Sequence, residues 1–451
     1  MITIALAALA CSVPVMDERT ELLRKAHAAA IESIARAEAD ASRPGFHFRA
    51  PGRWMNDPNG PIYYGGWYNL FYQFNPYGSQ WGDMHWGHAR SRDLVDWEHL
   101  PIALWPTKSK GEDHIFSGST FLDGRGKPVI FYTSIGNRAP EQWIARPGDA
   151  DLLEWFKPSV NPVVTEKHHG DTKIDEWRDP FLFSEAGKTY MIVGGRHEGR
   201  GSVALYRAEN SELTKWRFEG VLFLHPKSNL IECPNIARVD NKWLLLTSHV
   251  GRVDWFLGTL DVANHMFKPE KSGVLASRSY ASQLLRDKDG HLIHLGWIPT
   301  SDHKDWNGYL ALPSVLKVNS AGEVTRQPLD ALKNLRLDSN RFAGSKDLPE
   351  FCELELELRG EAKIRFCGHT ISFDPVAREL SIPNAEKLAV RGETVHLRLF
   401  RDRSALDVYA DNGRASACLD AKDNALTVLS GSVEGIVYKL RPGKFDLTRF
   451  R

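Results

Sequence analysis

The sequence predicts an all-β protein: a five-bladed β-propeller followed by a C-terminal β-sandwich, with a short N-terminal helix in front. Three observations carry this. Five hairpin-like segments recur at a spacing of roughly 50–60 residues, within the range of propeller and array repeats. From position 46 to about 335, short strand-forming runs alternate with Gly- or Asn-containing turns, and long helical patterns are absent. Beyond 349, apolar and polar residues alternate strictly over short runs, as in Cys352-Glu353-Leu354-Glu355-Leu356-Glu357-Leu358.

The elements follow in order. Positions 1–15 contain the apolar run 2–10, too short to span a membrane and of the length of a secretory h-region. Ala8-Leu9-Ala10 would serve as its cleavage site, and Cys11 would serve as a lipid attachment point. This reading places the protein outside the cytoplasm, secreted or periplasmic; a packed N-terminus and a cytoplasmic protein is the alternative, since no Lys or Arg precedes the run. Positions 16–45 are a helix and linker: 17–41 lacks Gly and Pro, sets Leu22, Leu23, Ala26, Ala30, Ile34 and Ala37 on one side, and stops at Ser42-Arg43-Pro44-Gly45. Positions 46–335 are the propeller. Its hairpin turns fall at Gly65-Gly66, Asp123-Gly124-Arg125-Gly126, Glu185-Ala186-Gly187, Asp240-Asn241 and Asp287-Lys288-Asp289-Gly290. A single large sandwich is the competing architecture; the long segments between hairpins favour blades. Positions 336–348 read as a polar linker, and 349–451 as the sandwich, with Asp411-Asn412-Gly413 as one of its turns.

Composition narrows the function. The 451 residues carry 57 basic and 57 acidic side chains, so neither nucleic acid nor an anionic membrane is favoured as partner. Fourteen Trp is a high number, and many stand in polar, Gly-rich context, where an aromatic face suits the C–H face of a sugar. About half of them are expected to fill sheet cores instead. The five Cys show no zinc or redox spacing; Cys352 and Cys367 could pair in a secreted protein.

Just ahead of three hairpins stand acidic residues: Asp57 in Asn56-Asp57-Pro58-Asn59-Gly60, Asp179 in Arg178-Asp179-Pro180, and Glu232 in Glu232-Cys233-Pro234-Asn235. Each alone reads as a turn residue or a local ion pair. Three at like places in a radial repeat would instead converge on one funnel, and glycosidic cleavage needs one protonated and one ionised carboxyl. The amide-rich turn would keep Asp57 ionised, Arg178 would keep Asp179 charged, and the apolar neighbours Leu230 and Ile231 would raise the pKa of Glu232.

With these motifs the chain resembles glycoside hydrolase family 32, the family of invertases, inulinases, levanases and fructan exohydrolases. The resemblance runs through Trp54-Met55-Asn56-Asp57-Pro58-Asn59-Gly60, Phe71-Tyr72-Gln73-Phe74-Asn75-Pro76, Trp86-Gly87-His88, Phe116-Ser117-Gly118-Ser119 and Tyr280-Ala281-Ser282, and reaches Leu399-Phe400-Arg401-Asp402-Arg403-Ser404 in the second domain. It implies a retaining, exo-acting β-fructofuranosidase on sucrose or β-fructans, with Asp57 as nucleophile, Glu232 as acid/base and Asp179 as transition-state stabiliser. It also implies a fructose subsite of Asn56, Gln73, Trp81, Phe116, Ser117, Arg178, Tyr280 and Trp297, and no metal or organic cofactor. A fructosyltransferase with the same intermediate, a non-catalytic carbohydrate-binding propeller and an inverting glycosidase on arabinosides or xylosides are the alternatives. Asn235 stands where many members carry Asp, which would leave the field on Glu232 less negative.

Overall fold

The computed structural model describes residues 17–451, apart from positions 250 and 391 and the side chain of 277. The apolar run 2–10 and Cys11 lie outside the described residues. The helix spans Glu18–Ala39, capped by Asp17, whose carboxylate accepts from Thr20 N. Its buried stripe is Ala26, Ala30, Ser33, Ile34 and Ala37, four of them expected from the spacing. No helix among the described residues is long and apolar enough to cross a membrane.

Five sheets follow, each with a run of antiparallel strands read outward from its first strand. The first holds Arg53–Tyr64, Trp67–Asn75, His85–Ser91 and Trp97–Leu104; the second runs from His114–Leu122 to Trp155–Phe156, and the third from Asp175–Glu185 to Trp216–Leu224. The fourth runs from Glu232–Val239 to Met266–Ser277, and the fifth from Tyr280–Arg286 to Val324–Pro328. The first strands lie beside one another, each against that of the next sheet, and the fifth against the first. Between neighbouring sheets sit apolar layers: Trp86, Tyr132 and Trp155 between the first and second, Phe131, Trp177 and Tyr206 between the second and third. Ile192, Leu205 and Phe256 fill the third interface, and Leu246, Leu257 and Leu284 the fourth. Leu70, Phe74, Ile293 and Leu295 fill the space between first and fifth, where the helix also packs. The protein is thus mostly β, with a propeller, a C-terminal β-sandwich-like sheet and one N-terminal helix. Trp86, Trp155, Trp177 and Trp306 are fully buried, so these Trp serve the core, at ~2–3 kcal/mol or more each.

The C-terminal unit is a ten-stranded sheet. Two 16-residue strands, Phe351–Phe366 and Ala425–Leu440, run along each other, with the ladder broken between Arg359 and Lys363. The alternation of Leu354, Leu356 and Leu358 puts all three in its core with Ile364, Phe366 and Leu397. Two boundaries differ from the expected ones. The stretch 336–348, expected as linker, contains strands Arg336–Ala343 and Lys346–Asp347, both paired with Ala425–Leu440. Arg336–Ala343 is exposed along most of its length, so its polar residues carry no apolar alternation to betray a strand. At the other end, Phe445–Asp446 leaves the C-terminal unit and pairs in parallel with Trp97 and Glu98 of the first sheet. Cys352 and Cys367 are buried and unbridged.

The Arg401-Asp402-Arg403-Ser404 motif is a fastening. Asp402 accepts from the N–H of Gly45, Phe46 and His47 and from the His47 ring, whose other nitrogen meets Asp407 at 2.8 Å. Ser404 donates to Ser42 O at 2.6 Å.

Candidate active site

Every first strand carries the same irregularity. Three steps along it, from Met55 to Pro58, match two steps along its neighbour, from Phe74 to Tyr72. The same offset separates Ile115 from Gly118, Arg178 from Phe181, Glu232 from Asn235, and Tyr280 from Gln283. These are β-bulges, each with one extra residue that bends the strand and re-aims side chains. Asp179, Cys233 and Ala281 adopt left-handed backbone in them, with φ of 66°, 43° and 48°. In the second sheet the bulge closes on Gly118, where an added Cβ would lie 1.9 Å from Phe131 O, so only glycine fits. The bulges hold the residues singled out by sequence, though not at one equivalent position. Asp57 is the third residue of its bulge segment, Asp179 the second and Glu232 the first.

Asp57 and Asp179 meet at Cys233, and the carboxyl of its chain neighbour Glu232 is near enough for its charge to act on both. The Cys233 backbone N–H donates to Asp179 Oδ2 at 2.9 Å, and its Sγ lies 3.5 Å from that oxygen and 3.7 Å from Asp57 Oδ2. Burial, with the Asp179 and Asp57 charges beside it, pushes the thiol well above its ordinary pKa, so it remains S–H and donates. Sequence reasoning assigned Cys233 no role; its place between Glu232 and Pro234 was the available signal.

Asp57 is half-buried. Ser117 Oγ donates to its Oδ2 at 2.5 Å and Asn56 Nδ2 to its Oδ1 at 3.0 Å. Asn56 is held in turn by Trp54 Nε1 at 2.8 Å, and Ser117 Oγ by Gln73 Nε2 at 3.4 Å. Burial raises the Asp57 pKa and the neighbouring Glu232 charge adds to it, while the Ser117 and Asn56 hydrogen bonds pull it down. The expected hydrogen bonds are therefore present, but desolvation opposes them.

Arg178 does not neutralise Asp179 by direct contact. Its Nη2 donates to Glu232 Oε1 at 2.8 Å and its Nη1 to Glu176 O. The Asp179 backbone is left-handed, and its N–H goes to Thr133 Oγ1 at 2.9 Å. Burial pushes the Asp179 carboxyl up to about 7 against the pull of the Arg178 charge. This corrects the expectation of a permanently charged residue: buried among like charges, it exchanges its proton near neutrality. Glu232 also differs from expectation. In place of an apolar wall it meets two donors, Arg178 and the Tyr280 hydroxyl. Burial, with Glu232 alongside, pushes that hydroxyl far above its ordinary pKa, so it stays a donor.

The remaining predicted residues frame this cluster. Tyr280 pairs across strands with Trp297, whose ring meets Trp54 edge-on at 5.8 Å. Phe116 meets Trp81 edge-on at 6.2 Å, and Trp81 is 50% exposed on an irregular loop. Asn235 is not part of the cluster. Fully buried, its amide donates to Ser282 O at 2.7 Å and Cys233 O at 3.1 Å and accepts from Leu284 N at 2.9 Å, stapling the fourth sheet to the fifth. Asn235→Asp loses both donated bonds and is expected to lower stability by about 2–3 kcal/mol, measurable by urea denaturation.

The family model for the glycosyl hydrolases family 32 N-terminal domain matches residues 47–328. The chain belongs to glycoside hydrolase family 32. Among family 32 relatives, the acid beta-fructofuranosidase of Vigna radiata var. radiata is 32% identical over 68% of this chain and 53% of its own length. Beta-fructofuranosidase insoluble isoenzyme 1 of Daucus carota is 30% identical over 78% and 67%, and the sucrose-6-phosphate hydrolase of Zymomonas mobilis 32% identical over 65% and 63%. The chain thus spans between half and two thirds of the length of these relatives. Among solved family 32 structures, the Bombyx mori beta-fructofuranosidase superposes with a TM-score of 0.80 at 26% identity, over 94% of this chain and 99% of that one. The fructan 1-exohydrolase IIa of Cichorium intybus shares the fold, with a TM-score of 0.79 at 20% identity over 90% and 99%.

Proposed function

We propose that this chain is a retaining, exo-acting β-fructofuranosidase releasing fructose from sucrose or β-fructans. The observation that carries the reading is the convergence of Asp57, Asp179 and Glu232 on one cluster, each with a different set of donors. Asp57, fixed by Ser117 and Asn56, attacks the anomeric carbon of the fructosyl unit as its glycosidic bond breaks. Glu232 gives its proton to the leaving oxygen, then takes one from the water that releases fructose. Arg178 and Tyr280 hold both Glu232 oxygens, which fixes the carboxyl for both half-reactions. Asp179 accepts hydrogen bonds from fructose hydroxyls as positive charge develops on the ring. Asn56, Gln73, Ser117, Phe116, Trp81 and Trp297 line the subsite. The five sheets are read as five blades of one closed propeller over roughly 46–335, supported by the ring of first strands and the five apolar layers. The C-terminal unit is read as a separate sandwich domain with a structural role.

The relatives' names span beta-fructofuranosidases, a sucrose-6-phosphate hydrolase and fructan exohydrolases, which leaves hydrolysis of a β-fructofuranoside as the shared chemistry. Incubation with sucrose, inulin and levan is expected to give fructose one unit at a time, with retained configuration in the first-formed product. Absence of turnover on all three sinks the reading. Oligosaccharides accumulating at high sucrose identify the transferase instead, in which a sugar takes the place of water at the same intermediate.

A further inference from the structure

The segment between the third and fourth sheets runs from His225 to Ile231 and delivers Glu232. It has no regular structure, yet its backbone is held throughout. His225 N donates to Gly201 O at 2.7 Å, Gly201 N to Ser228 O at 2.8 Å, and Ile231 N to Gly195 O at 3.2 Å. Arg196 Nε donates to Asn229 O at 2.9 Å; its Nη2 pairs with Glu176, which adjoins Arg178, which holds Glu232. At the head of the turn is the His225 ring, 1% exposed. Its Nδ1 accepts from Lys227 N at 3.1 Å and Ser228 N at 2.8 Å. Its Nε2 faces Asp254 Oδ2 at 3.2 Å. Asp254 stands on the fourth sheet, fixed by His249 Nε2 at 2.7 Å and by both Nε and Nη2 of Arg252 at 2.8 and 2.6 Å. On the neighbouring strand His249 follows Ser248, the cross-strand partner of Glu232.

His225, His249 and Asp254 lie close enough to hold a metal ion. The hydrogen bonds argue otherwise. A nitrogen that accepts from two backbone N–H groups carries no proton, so the proton of the neutral ring is on Nε2, the atom a metal would need. Arg252 adds a positive charge to the same carboxylate. The chemistry fits a mechanical part: a ring whose one nitrogen caps a turn and whose other is anchored to the next sheet.

We propose that His225 is a positioning residue for Glu232, tying the 225–231 turn to Asp254 so that the acid/base carboxyl meets Arg178 and Tyr280 in register. This rests on the acid/base role given to Glu232 above. A residue acting through the acid matters most when the leaving group needs a proton. His225→Ala is expected to lower kcat/KM on sucrose at least tenfold and to change it less than twofold on β-fructofuranosyl fluoride, whose fluoride departs with little protonation. An equal fall on both substrates, or no fall on sucrose, overturns the proposal. His225→Asn, whose Oδ1 stands where Nδ1 does, keeps the turn cap but loses the Nε2 tie to Asp254, so it is expected to stay at least fivefold below the parent on sucrose, and full sucrose activity in it overturns the proposal; it also serves if the Ala variant does not fold. A second reading needs no turnover: amide exchange at Lys227 and Ser228 rises at least tenfold in His225→Ala, and unchanged exchange overturns the proposal. A wild-type protein inactive on both substrates but with this exchange response would sink the fructofuranosidase assignment alone. Zinc chloride that raises the Tm of the wild type and not of His225→Ala overturns the fixed ring and makes the cluster a metal site.

Discussion

Asp57→Asn is expected to lower kcat on sucrose by about 10^4-fold or more while leaving the fold intact. The amide has the shape of the carboxylate and its oxygen still accepts from Ser117, so the bulge survives with the loss of the bond from Asn56 Nδ2 alone, which the new NH2 cannot accept. What it lacks is a charged oxygen to form the bond to the anomeric carbon. No neighbour replaces it. Asp179 is turned to the Cys233 N–H, and both Glu232 oxygens are engaged by Arg178 and Tyr280. Losses of this order are what removing a nucleophile gives in enzymes that form covalent intermediates. Steady-state kinetics with a circular-dichroism melt make the check. A variant within tenfold of the parent would show that Asp57 is not the nucleophile.

Asp179→Asn is expected to be nearly inactive, by about 10^3-fold, and more stable than the parent. Both effects have one cause. Asp179 is buried, near Glu232 and Asp57, and its carboxyl is pushed from an ordinary 3.8 up to about 7. Below pH 4 it is protonated in folded and unfolded chains alike. Between 4 and 7 the unfolded chain has released the proton while the folded one keeps it, so stability falls as pH rises across that window. The amide escapes this fall and can still accept from Cys233 N. Its advantage grows to roughly 2–4 kcal/mol by pH 8, taking about 1.4 kcal/mol per unit. Melting at pH 4 and pH 8 reads it directly: the Tm gap between variant and parent should be small at pH 4 and several degrees at pH 8. A gap that does not widen would show that Asp179 is not buried against its charge. Stability given up for an ionisable group in the right place is a common signature of catalytic sites.

Much of this arrangement was legible in the sequence because it is local. Asn-Asp-Pro-Asn-Gly, Arg-Asp-Pro and Glu-Cys-Pro are contiguous, and each marks a bulge in a first strand. Hairpin turns and the Leu354–Leu356–Leu358 alternation likewise advertise themselves by spacing. What escaped is what depends on distant partners. Arg178 donates to Glu232, 54 positions away, and not to the adjacent Asp179, a choice set by the packing of two sheets and invisible in the Arg-Asp-Pro motif. Asn235 resembles a modified catalytic motif in sequence, and only the partners Ser282 and Leu284 of the fifth sheet reveal it as a staple. The strand Arg336–Ala343 was invisible because an exposed edge needs no apolar alternation, and Phe445–Asp446 because its partner Trp97 is more than 300 positions away.

That last pairing has a mechanical consequence. The C-terminal unit is stitched to the rest of the chain at two places: midway along it Asp402 and Ser404 grip the chain at 42–47, and near its end Phe445–Asp446 is laid along the rim of the first sheet. Between the two moorings the units also share an apolar layer of Phe46, Val95, Leu312, Phe400, Tyr409 and Leu440. Swinging the C-terminal unit away would expose that layer to water, so the contact is one the fold keeps closed.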